Sequence, residues 1–378
     1  MANQNLNLNL NMKSIYNMDE DFVSYFILAL ILIIVITYVC YMIYLSSLEA
    51  KECNYVNMLY PSINGNIKPI SKNQSDCSGN LYDYYIKTAF NACSGGSYQN
   101  DYVDVCVLKS ILKQGVRCLD FEIYNVNNHP VVSSSSSKNT NYYVKETFNS
   151  VKFSEVMKII SNYAFSGGTA PNPTDPLIIH LRIKSNEQAM YNNLAKIFKS
   201  YDNIMLGKNY SYENHGKNIG AQPLISFMNK IILIVDKSNN SYLENKEFME
   251  YVNMTSNSVF MRALSYYDVK NTPDINELEQ FNQRCMTIVY PDVGVNPSNP
   301  SGMLCRAAGC QMVAMRYQHV DNFLKENGMF FDEGGYGFVL KPENLRYKQV
   351  TIPTPTPQNP AYSYQTRNAS SDYYSFKY

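Results

Sequence analysis

The chain has no tryptophan, only four histidines and no excess of charge of either sign: 32 basic residues balance 32 acidic ones over 378 positions. Contact with nucleic-acid phosphates needs a basic excess, so this balance argues against nucleic acid as a partner. No Cys-x-x-Cys pair and no Cys/His spacing of the zinc type occurs, so no structural zinc is expected. No internal repeat is visible. The missing tryptophan, beside abundant tyrosine and asparagine, reads as base-composition bias of the coding genome. A large DNA virus or an AT-rich protist would show it.

One long apolar run is present, at residues 22–45, and it carries no charge. About twenty such residues cross the hydrocarbon core as a helix. Tyr25 near one end and Tyr38, Tyr41 and Tyr44 near the other suit an interfacial aromatic belt. A cleavable signal peptide is the rival, but residues 46–50 make a poor cleavage site. The expectation is a single-pass membrane protein with an uncleaved N-terminal anchor, in a virion or host membrane. Too few charges flank the run to set its orientation.

Residues 1–21 are polar and read as disordered, residues 46–80 as a juxtamembrane spacer and residues 349–378 as a disordered tail. Eight cysteines lie outside the run: Cys53, Cys77, Cys93, Cys106, Cys118, Cys285, Cys305 and Cys310. An even number fits disulfides in an oxidising compartment, and the pairing stays open. Reduced core thiols are the other reading, with Cys118 the first example. Sequons at Asn73, Asn209, Asn239, Asn253 and Asn368 count weakly toward a lumenal or external domain.

From residue 81 apolar strands alternate with amphipathic helices. Strands are expected at 176–183, 230–235, 263–269, 285–290 and 311–317. Helices are expected at 154–165 with a Ser154 cap, at 187–201 and at 275–283. Continuous apolar strands alternating with helices argue for an α/β fold with a parallel sheet covered on both faces. About 250 residues of this alternation suit a (β/α)8 TIM barrel. In residues 116–124, alternation puts Cys118, Asp120, Glu122 and Tyr124 on one strand face and Leu119, Phe121 and Ile123 on the other. Two carboxylates so close repel unless a cation or proton lies between them. Ordinary acids on a solvent-facing edge are the alternative.

This stretch resembles the X box of the phosphoinositide-specific phospholipases C. The resemblance rests on Thr88-Ala-Phe-Asn91, on Gly115-Val-Arg-Cys-Leu-Asp-Phe-Glu-Ile-Tyr124 and on His129-Pro-Val-Val-Ser-Ser134. Downstream, Tyr290-Pro291, Gly309-Cys-Gln-Met-Val-Ala-Met-Arg-Tyr-Gln318 and Gly334-Gly-Tyr-Gly-Phe-Val-Leu-Lys-Pro342 resemble its Y box. The resemblance implies a distorted (β/α)8 barrel of phospholipase C type over residues 81–348, X-like at 81–200 and Y-like at 260–348, preceded by one transmembrane helix. It also implies a family activity: cleavage of a phosphodiester by a base, two histidines and a calcium ion.

The implied roles fall on altered residues. Asn91 stands at the calcium-binding asparagine. Asp120 and Glu122 stand at two carboxylate ligands, with Asp and Glu exchanged. Arg182 stands where another ligand was a glutamate. Phe90 and Ser134 occupy the two catalytic-histidine positions. Ile234 and Asp236 stand at two phosphate-binding lysines, and Lys237, one place on, is the candidate substrate contact. Val295 replaces an arginine, and Asn299-Pro300 replaces an aromatic pair that stacks on inositol.

Phenylalanine cannot transfer a proton and serine is a poor general acid at neutral pH. His180 and His129 are the candidate substitutes, with His215 and His319 in loops or helix ends. His180 shares a strand side with Arg182 and so belongs inside the barrel. Arg182 either neutralises Asp120 and Glu122 as a buried structural pair or takes over calcium's charge role, as an arginine does in related bacterial enzymes. The expected function is a membrane-anchored pseudoenzyme with a binding or structural role. Its partners would be the lipid bilayer and a phosphoinositide headgroup or a protein. No cofactor is expected, with calcium only if the site still works. The alternative is an active phosphodiesterase with rearranged residues.

Overall fold

The computed structural model describes the chain except residues 1, 72–76, 137–143, 212–216, 349–354, 358, 360, 361 and 363, and gives the backbone alone for residues 2–20. It divides into two compact units, Met1–Arg346 and Tyr347–Tyr378.

Eight parallel strands form the main path of the first unit's 11-stranded sheet. They are β1 (Tyr84–Ala89), β2 (Cys118–Val126), β5 (Leu177–Lys184), β6 (Ile231–Asp236), β7 (Met254–Ser256), β8 (Met261–Ser265), β9 (Met286–Tyr290) and β10 (Met312–Met315). Their order is β7-β6-β5-β2-β1-β10-β9-β8, and every neighbouring pair is parallel. The sheet curls into a nearly closed barrel, as the alternation predicts; no ladder joins β7 to β8. A short β11 (Phe338–Leu340) pairs antiparallel with β1.

Side-chain alternation sorts residues between two cores. Cys118, Ile178, Ile232, Ile234, Met286 and Met312 fill the barrel interior. Leu119, Phe121, Ile123, Leu181 and Val235 face the helix layer, with α2 (Val105–Lys113), α3 (Phe153–Tyr163) and α4 (Gln188–Lys199). Asp120, Glu122 and His180 are therefore interior and buried, and the solvent-facing edge considered for the two acids is ruled out.

Several local expectations need correction. Residues 263–269 are not one strand. β8 ends at Ser265, whose hydroxyl accepts from the Asp268 amide while the Asp268 carboxylate accepts from the Ser265 amide, and that capping box starts a helix at Tyr266–Lys270. Helix α3 starts at Phe153 with no side-chain cap, so Ser154 is inside it. Two antiparallel strands were not anticipated: β3 (His129–Ser133) returns along β2, and β4 (Val151–Lys152) pairs with β3. Asn127 and Asn128, at φ 51° and 65°, make the tight turn between β2 and β3, a conformation asparagine tolerates better than most residues.

The largest correction is at the N-terminus. Helix α1 covers Ala2–Leu59, so the polar start read as disordered and the first part of the expected spacer are both helical. Once an apolar helix forms, each added residue costs only its own dihedrals, so the ladder propagates outward from the run. Over Glu49–Leu59 α1 also packs on α2. Val56 is fully buried, Asn57 accepts from the Ser110 hydroxyl (2.8 Å), and Cys53 is disulfide-bonded to Cys106. Cys93, Cys118, Cys305 and Cys310 are buried thiols outside any disulfide. Pro61 follows the helix end. Residues 22–44 are exposed apolar surface, and Asp21–Leu59 is long and apolar enough to cross a membrane.

In the second unit the tail read as disordered contains a hairpin, β12 (Asn368–Ser370) with β13 (Ser375–Lys377). Reciprocal backbone bonds between Arg367 and Tyr378 close it, and Tyr374, Phe376 and Tyr378 line up at period two with ring contacts of 5.8 and 5.9 Å.

Candidate functional site at the barrel mouth

In a parallel barrel the strands' carboxyl ends converge, so side chains near the last turn of each strand meet. Here Arg182 on β5 is the centre. Its Nε and Nη2 donate to the two oxygens of Asp120 at 3.0 and 2.7 Å, Nη1 donates to Glu122 Oε1 at 2.5 Å, and Nη2 donates to Asn91 Oδ1 at 2.7 Å. Asp120 and Glu122 stand beside His180 and Arg182 in the β2–β5 register, which brings the four groups onto one interior patch. Asn91 reaches it because the chain turns sharply after β1, with Asn91 at φ 43°, and the Asn91 amide also donates to Asp120 (3.3 Å). The Asn91 side-chain Nδ2 is buried with no partner among the described residues.

Burial pushes the Asp120 carboxyl up, but Arg182 and the His180 hydrogen bond outweigh it and hold the carboxyl down at about 2. Burial works against the Arg182 charge, yet Asp120 and Glu122 keep its guanidinium well above the usual range. Glu122 also accepts from the Tyr124 hydroxyl (2.8 Å) and the Ser135 hydroxyl (3.1 Å).

His180 lies below this cluster. Its Nδ1 is 2.9 Å from Asp120 Oδ1 and its Nε2 is 2.9 Å from Ser256 Oγ. The Tyr290 hydroxyl sits 3.3–3.4 Å from both ring nitrogens. A histidine thus lies within hydrogen-bond reach of the Asn91/Asp120/Glu122 group. It is fully buried, as are Asp120 and Ser256, so both ring nitrogens are engaged in the barrel interior.

Above Arg182 the wall is aromatic. The guanidinium carbon is 4.6 Å from the Phe90 ring centroid and 5.3 Å from that of Tyr290, and Phe90 packs edge-on against Tyr98. A pocket of about 250 Å³ opens here, lined by Phe90, Glu122, Arg182, Lys184, Asp236 and Tyr290 among others. Asp268 and Asp292 also line it, so four carboxylates face two cations, and Arg182 is already committed. Burial lowers the Lys184 ammonium.

The remaining candidates separate. Ser134 is buried beside the site, its hydroxyl bonded to that of Ser94 (3.1 Å), and it does not line the pocket. His129 is exposed at the β2–β3 turn, too far along the hairpin to serve the site. His319 is half-exposed near Asp321 (3.8 Å). His215 lies outside the described residues. Ile234 is interior core and Asp236 lines the pocket. Lys237 does not; the lysine that does is Lys184, two residues beyond Arg182 on the same strand face. Period-two extension from Arg182 would have found it. Asn299 is buried and braces a loop, accepting from the Arg316 amide (2.6 Å) and donating to the His319 carbonyl (2.9 Å).

Comparisons with known proteins agree with this geometry. Residues 77–238 match the family model for the phosphatidylinositol-specific phospholipase C X domain, and residues 233–344 match the model for its Y domain. The chain belongs to the phosphatidylinositol-specific phospholipase C family. It is 39% identical over 78 residues to human 1-phosphatidylinositol 4,5-bisphosphate phosphodiesterase beta-4, covering 20% of this chain and 7% of that enzyme. It is 28% identical over 136 residues to the human gamma-2 enzyme, 32% and 11% of the two lengths. Among solved structures, S. officinalis PLC21 superposes with a TM-score of 0.57 at 18% identity, over 72% of this chain and 38% of that one. L. pealei PLC21 gives 0.58 at 18% identity over the same shares. This chain thus spans a minor part of each relative's length.

Proposed function

We propose that this protein is a membrane-anchored, phospholipase C-like pseudoenzyme whose barrel serves binding or structure rather than phosphodiester cleavage. The observation that supports this reading is the Arg182 cluster. Asn91, Asp120 and Glu122 direct their oxygens onto a guanidinium of the same chain. A calcium ion among these oxygens would sit beside that guanidinium. At about 4 Å and an effective dielectric near 20, each pair of unit charges costs about 4 kcal/mol, twice over for a dication. The donor set does not fit calcium. Phe90 closes over the same group where a proton-transferring residue would be needed. The carboxylates around the pocket further disfavour a polyphosphorylated headgroup. The exposed apolar run supports membrane anchoring.

The test is release of inositol phosphates from vesicles of phosphatidylinositol and its phosphates by the purified protein, with and without calcium. No turnover above background is expected, and calcium-dependent turnover would end this reading.

One observation favours a second reading, an active phosphodiesterase with relocated residues: His180 contacts Asp120, Ser256 and Tyr290. Turnover by the native protein that His180→Ala abolishes would establish it.

A further inference from the structure

The direction in which α1 joins the barrel has a functional meaning. β1 rises to the mouth and α2 returns from it, so α2 begins at the mouth and ends at the far side. α1 lies beside α2 in parallel. Glu49 accepts from Asn149, which itself bonds Val103 just before α2 (3.4 and 2.8 Å). Cys53 is bonded to Cys106, Asn57 accepts from Ser110, and the Asn64 amide donates to the Lys113 carbonyl at the far end of α2 (2.9 Å). Everything before Glu49 therefore projects beyond the mouth. The helix is unbroken across this junction. Leu45, the last residue of the apolar run, precedes Glu49 by four residues, about 6 Å of helix.

Some of the barrel's exposed apolar side chains are placed in keeping with this. Tyr267, Val293, Val295 and Val320 are exposed, and they lie in segments that follow the carboxyl ends of β8, β9 and β10. Apolar side chains exposed at that end suit an interaction surface.

We infer that α1 is a rigid mast that holds the barrel mouth against the bilayer in which its apolar run inserts, so that the rim docks on that membrane and the pocket meets only headgroups of the same membrane. The disulfide and the unbroken helix remove the swivel that a flexible spacer would allow. The inference rests on the membrane-anchor reading above.

The test uses the full chain in vesicles containing lipids brominated at mid-chain, which report on Val35, and near the headgroup, which report on Val293 and Asp202. The two accessible thiols are removed (Cys40→Ser, Cys285→Ser), and an environment-sensitive fluorophore is placed singly by Val35→Cys, Val293→Cys or Asp202→Cys. Val35 reports insertion, Val293 the rim, and Asp202 the far end of the barrel, between α4 and β6. The expected result is blue-shifted, quenched emission at Val35 and Val293 and unchanged emission at Asp202. Quenching at Val35 with none at Val293, or with equal quenching at Asp202, overturns the orientation and leaves the anchor standing. No quenching at Val35 overturns both.

Discussion

Phe90 and Arg182 face each other across the barrel mouth, the guanidinium carbon 4.6 Å from the ring centroid. They stand at two positions that family resemblance assigns to a proton-transferring histidine and a metal ligand. The two replacements act as one unit: the arginine neutralises the acids, and the phenylalanine packs over the guanidinium.

Removing the cation should therefore be costly. Arg182→Leu leaves Asp120 and Glu122 buried without a counter-charge, a class of change that costs about 3–5 kcal/mol. Urea or thermal unfolding should show that loss, together with a raised Asp120 pKa. Unchanged stability would mean the acids find water or each other instead.

Calorimetry should detect no stoichiometric calcium binding to the native protein. Micromolar binding abolished by Asp120→Asn would contradict this directly.

A graded restoration separates lost chemistry from a lost pocket. Phe90→His with Ser134→His should stay inert, because groups that act together recover little singly. Adding Arg182→Glu is the informative step. Calcium-dependent turnover in the triple variant means the pocket geometry persists; a folded, inert triple variant means it does not.

Acid should unfold the site through Asp120. Its pKa falls from the ordinary 3.8 to about 2, so its contribution is present above about pH 4 and lost as the pH falls through 2. The shift corresponds to about 2 kcal/mol. Stability measured between pH 5 and 2 should fall less steeply for Asp120→Asn than for the native protein.

At the α1–barrel junction, outside the apolar run, the sign reverses. Burial, then the neighbouring Asp101, raises the Glu52 carboxyl to about 9. Stability from the protonated form is complete below about pH 4.5 and is lost as the pH rises toward 9. Glu52→Gln should flatten the pH dependence of unfolding between pH 5 and 9; an unchanged slope would exclude Glu52 as its source.

Much of this architecture is written in simple periodicities. Runs such as residues 230–235 fix buried strands, and period two places Asp120, Glu122, His180 and Arg182 in the interior. What escaped depends on distance in space rather than in sequence. Ser256 meets His180 from a strand 76 residues away. The Cys53–Cys106 pairing needs the path of α1 beside α2. Ala263 to Val269 is apolar enough to suggest a strand, yet the Ser265/Asp268 capping box, a local signal, starts a helix at Tyr266–Lys270. The continuation of α1 through Glu49–Leu59 follows from packing on α2, which no local pattern announces.

The missing ladder between β7 and β8 gives the barrel something a sealed cylinder lacks, namely two edges. Backbone amides there are held by one neighbour instead of two, so opening can begin at this joint and travel outward strand by strand. Amide exchange should accordingly be fastest at β7 and β8 and slowest at β2 and β1, diametrically opposite. The central acid–arginine cluster hangs from β2, its neighbour β5 and the turn after β1, so the site would outlast the wall that faces it as the domain comes apart.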